Sequence, residues 1–387
     1  MFTLTATDQA LATIASNIPQ FAGRFPHHNT TNLRYPLKSA EAGEPVGGNT
    51  SWTTGFWTGQ LWLAHDLTSD ERFADAARGN VSSFIDRADR DVDLDHHDMG
   101  FLYTLSCVPA WRTEANPEAR RAALIAAEHL MARVLEPAGI IQAWGDLSDP
   151  EQQGRAIIDS LMNMPLLYWA TATTGESRYR DAAIRHSRQL ARHIVRADDT
   201  TYHTFHWDPA TGEPLHGTTH QGFSDDSCWA RGQAWGIYGF LLNHLWTGEP
   251  EFLAASIRCA DYFLTRLPAG KVPYWDLIFD DTSGHPLDSS AGAIAVCGLV
   301  ELAKASGESR YREAADELLD ALSATCTPAP GDGADCLLTH GVYHWPARIG
   351  VDEGNLWGDY YYLEALTMRA NPDWESYWLP SAKDGAA

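Results

Sequence analysis

The chain has 387 residues, of which 44% are hydrophobic and 20% charged, so it can build a large core and shows no compositional sign of disorder. Its 28 Lys and Arg residues stand against 51 Asp and Glu, which gives a formal net charge of -23. This acidity, without any basic stretch interleaved with aromatic residues, argues against a nucleic acid or an anionic membrane as partner.

Apolar segments and cysteines indicate the compartment. No apolar run approaches the roughly 18 residues of a membrane-spanning helix, and the N-terminus lacks a basic start followed by an apolar stretch. We therefore expect a cytoplasmic protein that does not enter a membrane. The six cysteines show no CxxC spacing and several lie in predicted helices, so buried free thiols are expected rather than disulfides or a zinc site.

One pattern recurs along the chain: an apolar helix rich in aromatic residues, Gly and Ala, then a short turn, then a charged amphipathic helix. The copies lie at residues 55–85 and 100–135 in looser form, and more plainly at 163–194, 232–267 and 293–322. A sixth apolar helix is predicted at 354–366, and a helix at 7–18 is its expected outer partner.

These helical pairs predict the fold. The first helix of each pair is apolar all round and should be interior, whereas the second has one apolar stripe and should be exterior. Six such pairs predict an all-α (α/α)6 barrel formed by a single domain over residues 1–387. An open solenoid also repeats helical pairs, but its repeats are usually more even in length.

Long polar and aromatic loops lead into the predicted inner helices. In a barrel these loops gather at one end, where they would surround a pocket. Four rim residues, Asp276, Asp288, Ser289 and Asn355, are explained equally well as helix caps and are not assigned to the site.

Asp98 and Asp159 each stand where a loop becomes a predicted inner helix, flanked by aromatic and apolar residues. An N-cap, whose side chain accepts the first free backbone N–H groups, is the ordinary explanation for one such Asp. Two such Asp residues at neighbouring inner helices could also form a pair of carboxylates in an apolar cavity. In such a cavity, loss of solvation raises the pKa of one carboxyl. Acid/base chemistry on a sugar is the functional interpretation.

Arg231 is a permanent charge in a helix whose surface should be mostly buried. It lies four residues before Trp235, on the same helix face, with Ser227 one turn earlier. A structural interpretation pairs Arg231 with an acidic neighbour such as Asp225. The functional interpretation is that Arg231 grips a substrate carboxylate, which supplies its counter-charge, while Trp235 stacks on a sugar face.

Aromatic and histidine side chains in the loops suggest a carbohydrate site. Trp52 and Trp144 lie in loops, and 15 Trp residues in all favour stacking on sugars. One linker holds four histidines and a glutamine, namely His203, His206, His216, His220 and Gln221. Neither the histidines of this linker nor the His96–His97 pair shows the spacing of metal ligands. We therefore expect these side chains to form hydrogen bonds with an anionic sugar, and we expect no metal site.

Several stretches together resemble the unsaturated glucuronyl hydrolases of glycoside hydrolase family 88. The specific ones are "IIDSLMNMPLLYWA" and "HQGFSDDSCWARGQAWGIYGF", and weaker ones are "NTSWTTGFWTGQLWLA", "HDMGF", "YHTFHWDPATG", "DSSA" and "NLWGDYYYLEAL". The resemblance covers nearly the whole chain. It implies an (α/α)6 barrel that needs no metal or organic cofactor.

The resemblance also implies an unusual hydrolysis. The family acts on oligosaccharides left by polysaccharide lyases, whose non-reducing end is a 4,5-unsaturated uronic acid. It protonates C4 of the enol ether and adds water at C5, and the resulting hemiketal collapses and releases the neighbouring sugar. The family roles fall on Asp159 as general acid/base and Asp98 as second carboxylate, with His97, His203, Gln221, Arg231, Trp235, Trp52 and Trp144 around the sugar.

Three other functions compete with this one. The first is an unsaturated rhamnogalacturonyl hydrolase, which acts on pectin fragments and shares the two aspartates. The second is a sugar 2-epimerase on the same barrel, whose activity would depend on histidines. The third is a non-catalytic sugar-binding protein, which would bind its ligand without Asp159. The leaving-sugar subsite is expected in variable loops and in residues 371–387. A monomer and a homodimer are both compatible with the sequence.

Overall fold

The computed structural model describes residues 5–329 and 331–385. In this part of the chain, helical hairpins form a closed ring in which each inner helix contacts the next and the last contacts the first. The inner ring consists of α2 (Thr54–Thr68), α4 (Met99–Tyr103) with α5 (Cys107–Glu114), α7 (Met164–Thr174), α9 (Ala230–Thr247), α11 (Ser289–Ser306) and α13 (Leu356–Ala370). The outer ring consists of α1 (Ala6–Asn17), α3 (Glu71–Asp89), α6 (Pro117–Ala132), α8 (Ser177–His193), α10 (Pro250–Thr265) and α12 (Ser309–Thr325). The predicted (α/α)6 barrel is confirmed.

The inner helices are buried on all sides and the outer helices on one side only, as the sequence pattern predicts. Helix α11 is buried at every position from Ser289 to Leu302, because it is covered by neighbours on all sides. Helix α8 buries only a stripe that includes Tyr179, Ala183 and Leu190 and turns its charges to solvent. The N-terminal helix α1 contacts α13 and α2 and so completes the outer ring.

Glycines let the inner helices approach closely. A Cβ at Gly298 of α11 would lie 2.9 Å from Cγ2 of Ile237 and 3.1 Å from Cα of Tyr238 in α9. A Cβ at Gly55 would lie 2.1 Å from the carbonyl oxygen of Phe101. Larger residues at these two positions would push neighbouring helices apart.

The second inner helix is broken, whereas the sequence pattern predicts a continuous one. Helix α4 ends at Tyr103 and α5 begins at Cys107. Pro109 explains the break, because its ring would clash with the carbonyl of Leu105 and it has no N–H to donate. Pro165 has the same effect in the third pair, where a 3-10 helix (Ile158–Met162) precedes α7.

Three small antiparallel sheets, which the sequence analysis does not predict, lie in the loops before inner helices. They pair β1 (Val134–Leu135) with β2 (Ile140–Ile141), β4 (Thr204–Trp207) with β3 (Arg155–Ile157) and β5 (Pro214–Thr218), and β6 (Gly341–His344) with β7 (Ile349–Glu353). Each follows an outer helix and leads toward the N-terminal end of an inner helix. The sheets therefore brace the loops at that end of the barrel.

The C-terminal segment closes the opposite end. The side chain of Trp378 is fully buried, and its Nε1 donates to Glu364 of α13 at 3.0 Å. Tyr377 donates to Asp66, near the C-terminal end of α2, at 2.6 Å. Residues 371–385 thus lie away from the inner-helix N-termini, so the expectation that they help to form a leaving-sugar subsite is wrong; residues 386 and 387 lie outside the described residues.

All six cysteines lie in the described residues and are buried free thiols, as the sequence predicts. Among the described helices, none combines the length and the apolar character that a bilayer crossing requires.

Candidate active site

A cavity of about 310 Å³ opens where the inner helices begin. All nine residues that the sequence analysis places in the site line it, although they come from loops and helices across the barrel: Trp52, His97, Asp98, Trp144, Asp159, His203, Gln221, Arg231 and Trp235. The remaining lining residues are Ile157, His220, Trp229, Tyr343 and His344. The barrel therefore gathers these side chains into one place.

Asp98 precedes the first residue of α4, but within the described residues its side chain makes no capping hydrogen bond. Its Oδ2 lies 3.1 Å from Nδ1 of His96, and its Oδ1 lies 3.4 Å from Nε2 of His97. Burial raises the pKa of this carboxyl, but His97, the hydrogen bond with His96 and the charge of Arg133 outweigh burial, so the net pKa is lowered. Asp98 is therefore held ionised.

Asp159 has the opposite environment. It lies in the 3-10 helix before α7, and among the described residues no group forms a hydrogen bond with its Oδ1. Burial and the nearby charge of Asp98 raise the pKa of Asp159 well above its usual value, and Arg231 offsets this only in part. Of the two carboxyls, Asp159 is therefore the one that holds a proton more tightly.

His97 lies between the two carboxyls. Its Nε2 is 3.4 Å from Asp98 and 3.7 Å from Oδ1 of Asp159. Burial lowers the pKa of His97 to about 4, so the ring is neutral at neutral pH. It can donate or accept a hydrogen bond but adds no charge to the pair.

Potential metal-ligating atoms of the same three residues, His97, Asp98 and Asp159, lie within 4.8 Å of one another. One imidazole and two carboxylates could in principle contact a divalent cation. The raised pKa of Asp159 favours proton transfer over metal binding for this cluster, because a metal ligand must be deprotonated.

Arg231 is 1% exposed, and its counter-charge comes from the protein. Its Nη1 lies 3.2 Å from Oδ2 of Asp288, and its Nη2 donates to the carbonyl of Tyr343 at 2.8 Å. The expectation that a ligand supplies the counter-charge is therefore wrong. The structural interpretation, an ion pair with an acidic residue, is confirmed, but the partner is Asp288 rather than Asp225. The guanidinium still lines the cavity, 4.5 Å from the ring centroid of Trp229.

A chain of polar groups continues along the wall from His203. Its Nε2 lies 3.2 Å from Oε1 of Gln221, whose amide donates to the carbonyl of Tyr343 at 2.8 Å. Burial lowers the pKa of His203 to about 3, so it is neutral. His206 and His216 stack on each other across β4 and β5 and do not line this cavity.

The three predicted tryptophans lie at different depths. Trp144 is 36% exposed, with the guanidinium of Arg155 at 5.3 Å from its ring centroid. Trp52 packs on Trp357 with ring centroids 5.1 Å apart. Trp235 is 1% exposed and is wedged between Phe101 and Tyr361. Trp144 and Trp52 offer more ring surface than Trp235.

Comparison with known proteins identifies the family. The family model "Glycosyl Hydrolase Family 88" matches residues 17–374. The unsaturated chondroitin disaccharide hydrolase of Streptococcus pyogenes is 47% identical over 96% of this chain and 92% of its own length. This chain belongs to glycosyl hydrolase family 88. It is therefore a glycoside hydrolase, and the resemblance inferred from its motifs is confirmed.

Solved structures of family 88 agree with this assignment. The unsaturated glucuronyl hydrolase of Bacillus sp. GL1 superimposes with a TM-score of 0.90 at 43% identity, over 97% of this chain and 98% of that one. A mutant of the Streptococcus agalactiae enzyme, complexed with dGlcA-GalNAc6S, has a TM-score of 0.82 at 42% identity, over 96% and 92% of the two chains.

Sequence reasoning missed several lining residues of this family 88 enzyme. Trp229 stands two residues before Arg231, inside the specific "CWARG" stretch, and could have been found there. Tyr343 lies on β6, which the sequence does not reveal as a strand, and its hydroxyl is 3.5 Å from Nε1 of Trp52. Its position depends on a hairpin that forms far along the chain from Trp52.

The four unassigned rim residues support the site from outside the cavity. Asp288 caps α11 by accepting from the N–H of Ser290 at 3.1 Å, in addition to pairing with Arg231. Asn355 caps α13, and Ser289 is the first residue of α11. Asp276 accepts hydrogen bonds from Ser227 at 2.6 Å and from the N–H of Phe223 at 2.9 Å.

Proposed function

We propose that this enzyme removes the 4,5-unsaturated uronic acid from the non-reducing end of lyase-generated oligosaccharides. The observation that carries the proposal is the pair of carboxyls that line one cavity in opposite environments, which raise the pKa of Asp159 and lower the pKa of Asp98. A vinyl ether needs a proton donor and then a base for water, and one carboxyl that first donates and then accepts can supply both. The separation rule for inverting and retaining glycosidases does not apply to such a reaction.

In the proposed reaction, Asp159 donates its proton to C4 of the enol ether. Positive charge then develops at C5 and the ring oxygen, where the ionised Asp98 stabilises it through space. The Asp159 carboxylate next takes a proton from the water that adds to C5. The product is a hemiketal, whose ring opens as the neighbouring sugar leaves.

The remaining lining residues are proposed to hold the uronate. His203 and Gln221 present neutral hydrogen-bonding groups beside the carboxyl pair. Arg231 contributes N–H groups, but its pairing with Asp288 lowers its net attraction for an anion. His97 contacts both carboxyls, Trp52 and Trp144 provide stacking surfaces, and Trp235 closes the deeper wall. This reaction uses no metal or organic cofactor.

A glycosaminoglycan-type substrate is favoured. The relative from Streptococcus pyogenes is named for unsaturated chondroitin disaccharides, and it is 47% identical to this chain. We therefore propose an unsaturated chondroitin disaccharide as substrate, ahead of pectin fragments. The six buried free thiols support a reducing compartment, and we propose that the enzyme works in the cytoplasm as one catalytic domain.

Loss of ultraviolet absorbance tests the proposal, because hydration destroys the conjugated C4=C5 bond. Purified enzyme is incubated, with EDTA present, with unsaturated disaccharides from chondroitin, heparin and pectin lyases. We expect the absorbance to fall fastest with the chondroitin disaccharide. A constant absorbance with all three disaccharides would contradict the proposed reaction and make the sugar 2-epimerase the next activity to assay.

A further inference from the structure

Five aromatic side chains form a cluster beside the active-site cavity, and none of them lines it. The ring centroid of each lies within 6.4 Å of at least two others. We call this group, Phe223, Trp275, Phe279, His285 and Trp345, the aromatic cluster. The catalytic roles proposed above leave it without a function.

Two loops connect the aromatic cluster to the cavity. Gln221 lines the cavity, and Phe223 lies two residues after it. His344 also lines the cavity, and Trp345 directly follows it. The amide of Gln221 donates to the carbonyl of Tyr343 at 2.8 Å, so the two loops lie side by side. A sugar chain that leaves the cavity over these loops therefore meets the aromatic cluster next.

Phe223 gives the aromatic cluster its open surface, because 53% of this residue is exposed. The other rings are largely covered by one another. Phe279 stacks on His285 with ring centroids 3.5 Å apart. Trp345 stacks on Trp275 with ring centroids 5.4 Å apart. The ring of Phe223 is therefore the one on which a ligand can stack.

The ring of Phe223 is also held in place. Its backbone N–H donates to Oδ2 of Asp276 at 2.9 Å, and Asp276 is fully buried. Phe279 and Trp275 contact the ring edge to face, with interplanar angles of 79° and 65°. A side chain that is ordered before binding loses little conformational entropy when a ligand stacks on it.

A positive charge accompanies this surface. Arg348 is exposed, and its guanidinium lies 3.5 Å from the ring centroid of Trp345. Among the described residues, no carboxylate pairs with Arg348. Uronic acid and amino sugar alternate in chondroitin, so the third sugar of a chondroitin fragment carries a carboxylate, with which a guanidinium can pair. An aromatic ring beside a cation therefore suits an acidic sugar.

The size of the cavity leaves little room for a long substrate. Its volume of about 310 Å³ is at the lower end of the range for small-molecule sites. Resting on the function proposed above, we propose that the aromatic cluster is a subsite for the third sugar of substrates longer than a disaccharide, with the ring of Phe223 stacked on the C–H face of that sugar. The enzyme then prefers unsaturated tetrasaccharides to disaccharides.

Chain-length dependence of kcat/KM tests the subsite. Unsaturated chondroitin disaccharide and tetrasaccharide carry the same C4=C5 bond, so the loss of ultraviolet absorbance reports both rates. At about 150 mM salt, which screens the repulsion between substrate and protein, we expect kcat/KM to be about three- to tenfold higher for the tetrasaccharide, the size expected for one aromatic contact. In Phe223→Ala this ratio should fall to about one, with kcat/KM for the disaccharide unchanged.

Two further variants serve as controls. Phe223→Tyr keeps the ring and should keep the preference for the tetrasaccharide. Leu215→Ala removes an equally exposed apolar side chain, 57% exposed, from β5 outside the aromatic cluster, and it should also keep the wild-type ratio.

The outcomes separate this subsite from the proposed function. A wild type that is active on the disaccharide but no better on the tetrasaccharide would overturn the subsite alone. So would an equal fall of kcat/KM for both substrates in Phe223→Ala, because Phe223 would then only position the loop that carries Gln221. A wild type that is inert on both substrates would contradict the proposed function, and the subsite with it.

Discussion

The two carboxyls of the site differ in environment. Asp98 faces His96, His97 and the charge of Arg133, which together lower its pKa, whereas Asp159 is buried beside Asp98, which raises its pKa. Two chemically identical side chains can therefore act as a permanent anion and as a proton donor. The same principle separates acid from base in other enzymes with paired carboxyls.

Asp159→Asn should abolish proton donation without disturbing the fold. We expect kcat to fall by about 10²- to 10⁴-fold while KM stays within a few-fold, because general acid catalysis contributes that much to the rate. Thermal unfolding should be nearly unchanged, since burial already favours the neutral form of the wild-type carboxyl. The same substitution at Asp181 on an outer helix is the control, and equal activity of both variants would remove Asp159 from the mechanism.

Arg231→Ala should damage stability as well as binding. Asp288 is fully buried, so the variant leaves it without its ionic partner, at a cost of about 3 kcal/mol in the free energy of unfolding. KM should also rise, because Arg231 lines the cavity. Chemical denaturation together with kinetics measures both effects. A rise in KM with unchanged stability would mean that the Asp288 pair contributes little.

The residues that line the cavity can be predicted from the sequence, whereas the residues that support them from behind cannot. Asp98 and Asp159 could be found because each stands where a polar loop becomes an apolar helix, a pattern visible within a few residues. The partner of Arg231 could not be found in this way, because Asp288 is 57 residues away and also suits a simple cap. Pairings between distant loops depend on the closed ring.

At the level of secondary structure, periodicity predicts the helices well but not their interruptions or the strands. The apolar stripes identify inner and outer helices, whereas the break between α4 and α5 follows from Pro109 in an otherwise helical pattern. The strands are short, and their pairing joins segments such as β3 and β4 that are far apart in sequence. Single-sequence patterns carry little information on such pairs.

Arg112 of α5 connects the C-terminal segment to the barrel through several hydrogen bonds. This side chain donates to Asp384 at 2.7 Å and to the carbonyls of Tyr377 and Leu379. Arg112→Ala should lower the free energy of unfolding by about 3 kcal/mol, because Asp384 loses its buried partner. It should also speed proteolysis within residues 371–385.

The matched control for Arg112 is Arg121→Ala. Arg121 forms an exposed pair with Asp89, and such pairs contribute about 0–1 kcal/mol. Denaturant unfolding of the two variants gives the comparison. Equal, small losses of stability would show that the C-terminal segment is not held by Arg112.

Helix α13 has two buried carboxyls that do not line the active-site cavity, Asp359 and Glu364. Burial raises the pKa of each to about 7. Because their pKa values in the unfolded chain are about 4, these groups stabilise the fold below that pH and lose the contribution as pH rises toward 7. We expect the melting temperature to fall between about pH 4 and pH 7 through these groups.

The variant Glu364→Gln tests whether these buried carboxyls cause the pH dependence of the melting temperature. The variant cannot ionise, so its melting temperature should depend less steeply on pH than that of the wild type over the same range. An equally steep dependence in both proteins would assign the effect to other groups.

At the scale of the whole molecule, the negative net charge of the protein opposes the approach of the anionic substrate that the cavity binds. The formal net charge of -23 repels an anionic substrate at long range, although the cavity is built to bind one. We expect kcat/KM to rise a few-fold as the salt concentration increases from about 10 to about 150 mM, because salt screens this repulsion. At saturating substrate kcat should not change; a fall in kcat/KM would mean that local attraction dominates.

The proposed reaction begins with protonation of C4. Turnover of the unsaturated chondroitin disaccharide in D₂O, followed by NMR, tests it most directly. We expect a released uronate without the C4=C5 bond and with one deuteron bound at C4. A released uronate that retains its double bond would show ordinary hydrolysis of the glycosidic bond and would rule out protonation of C4 as the first step.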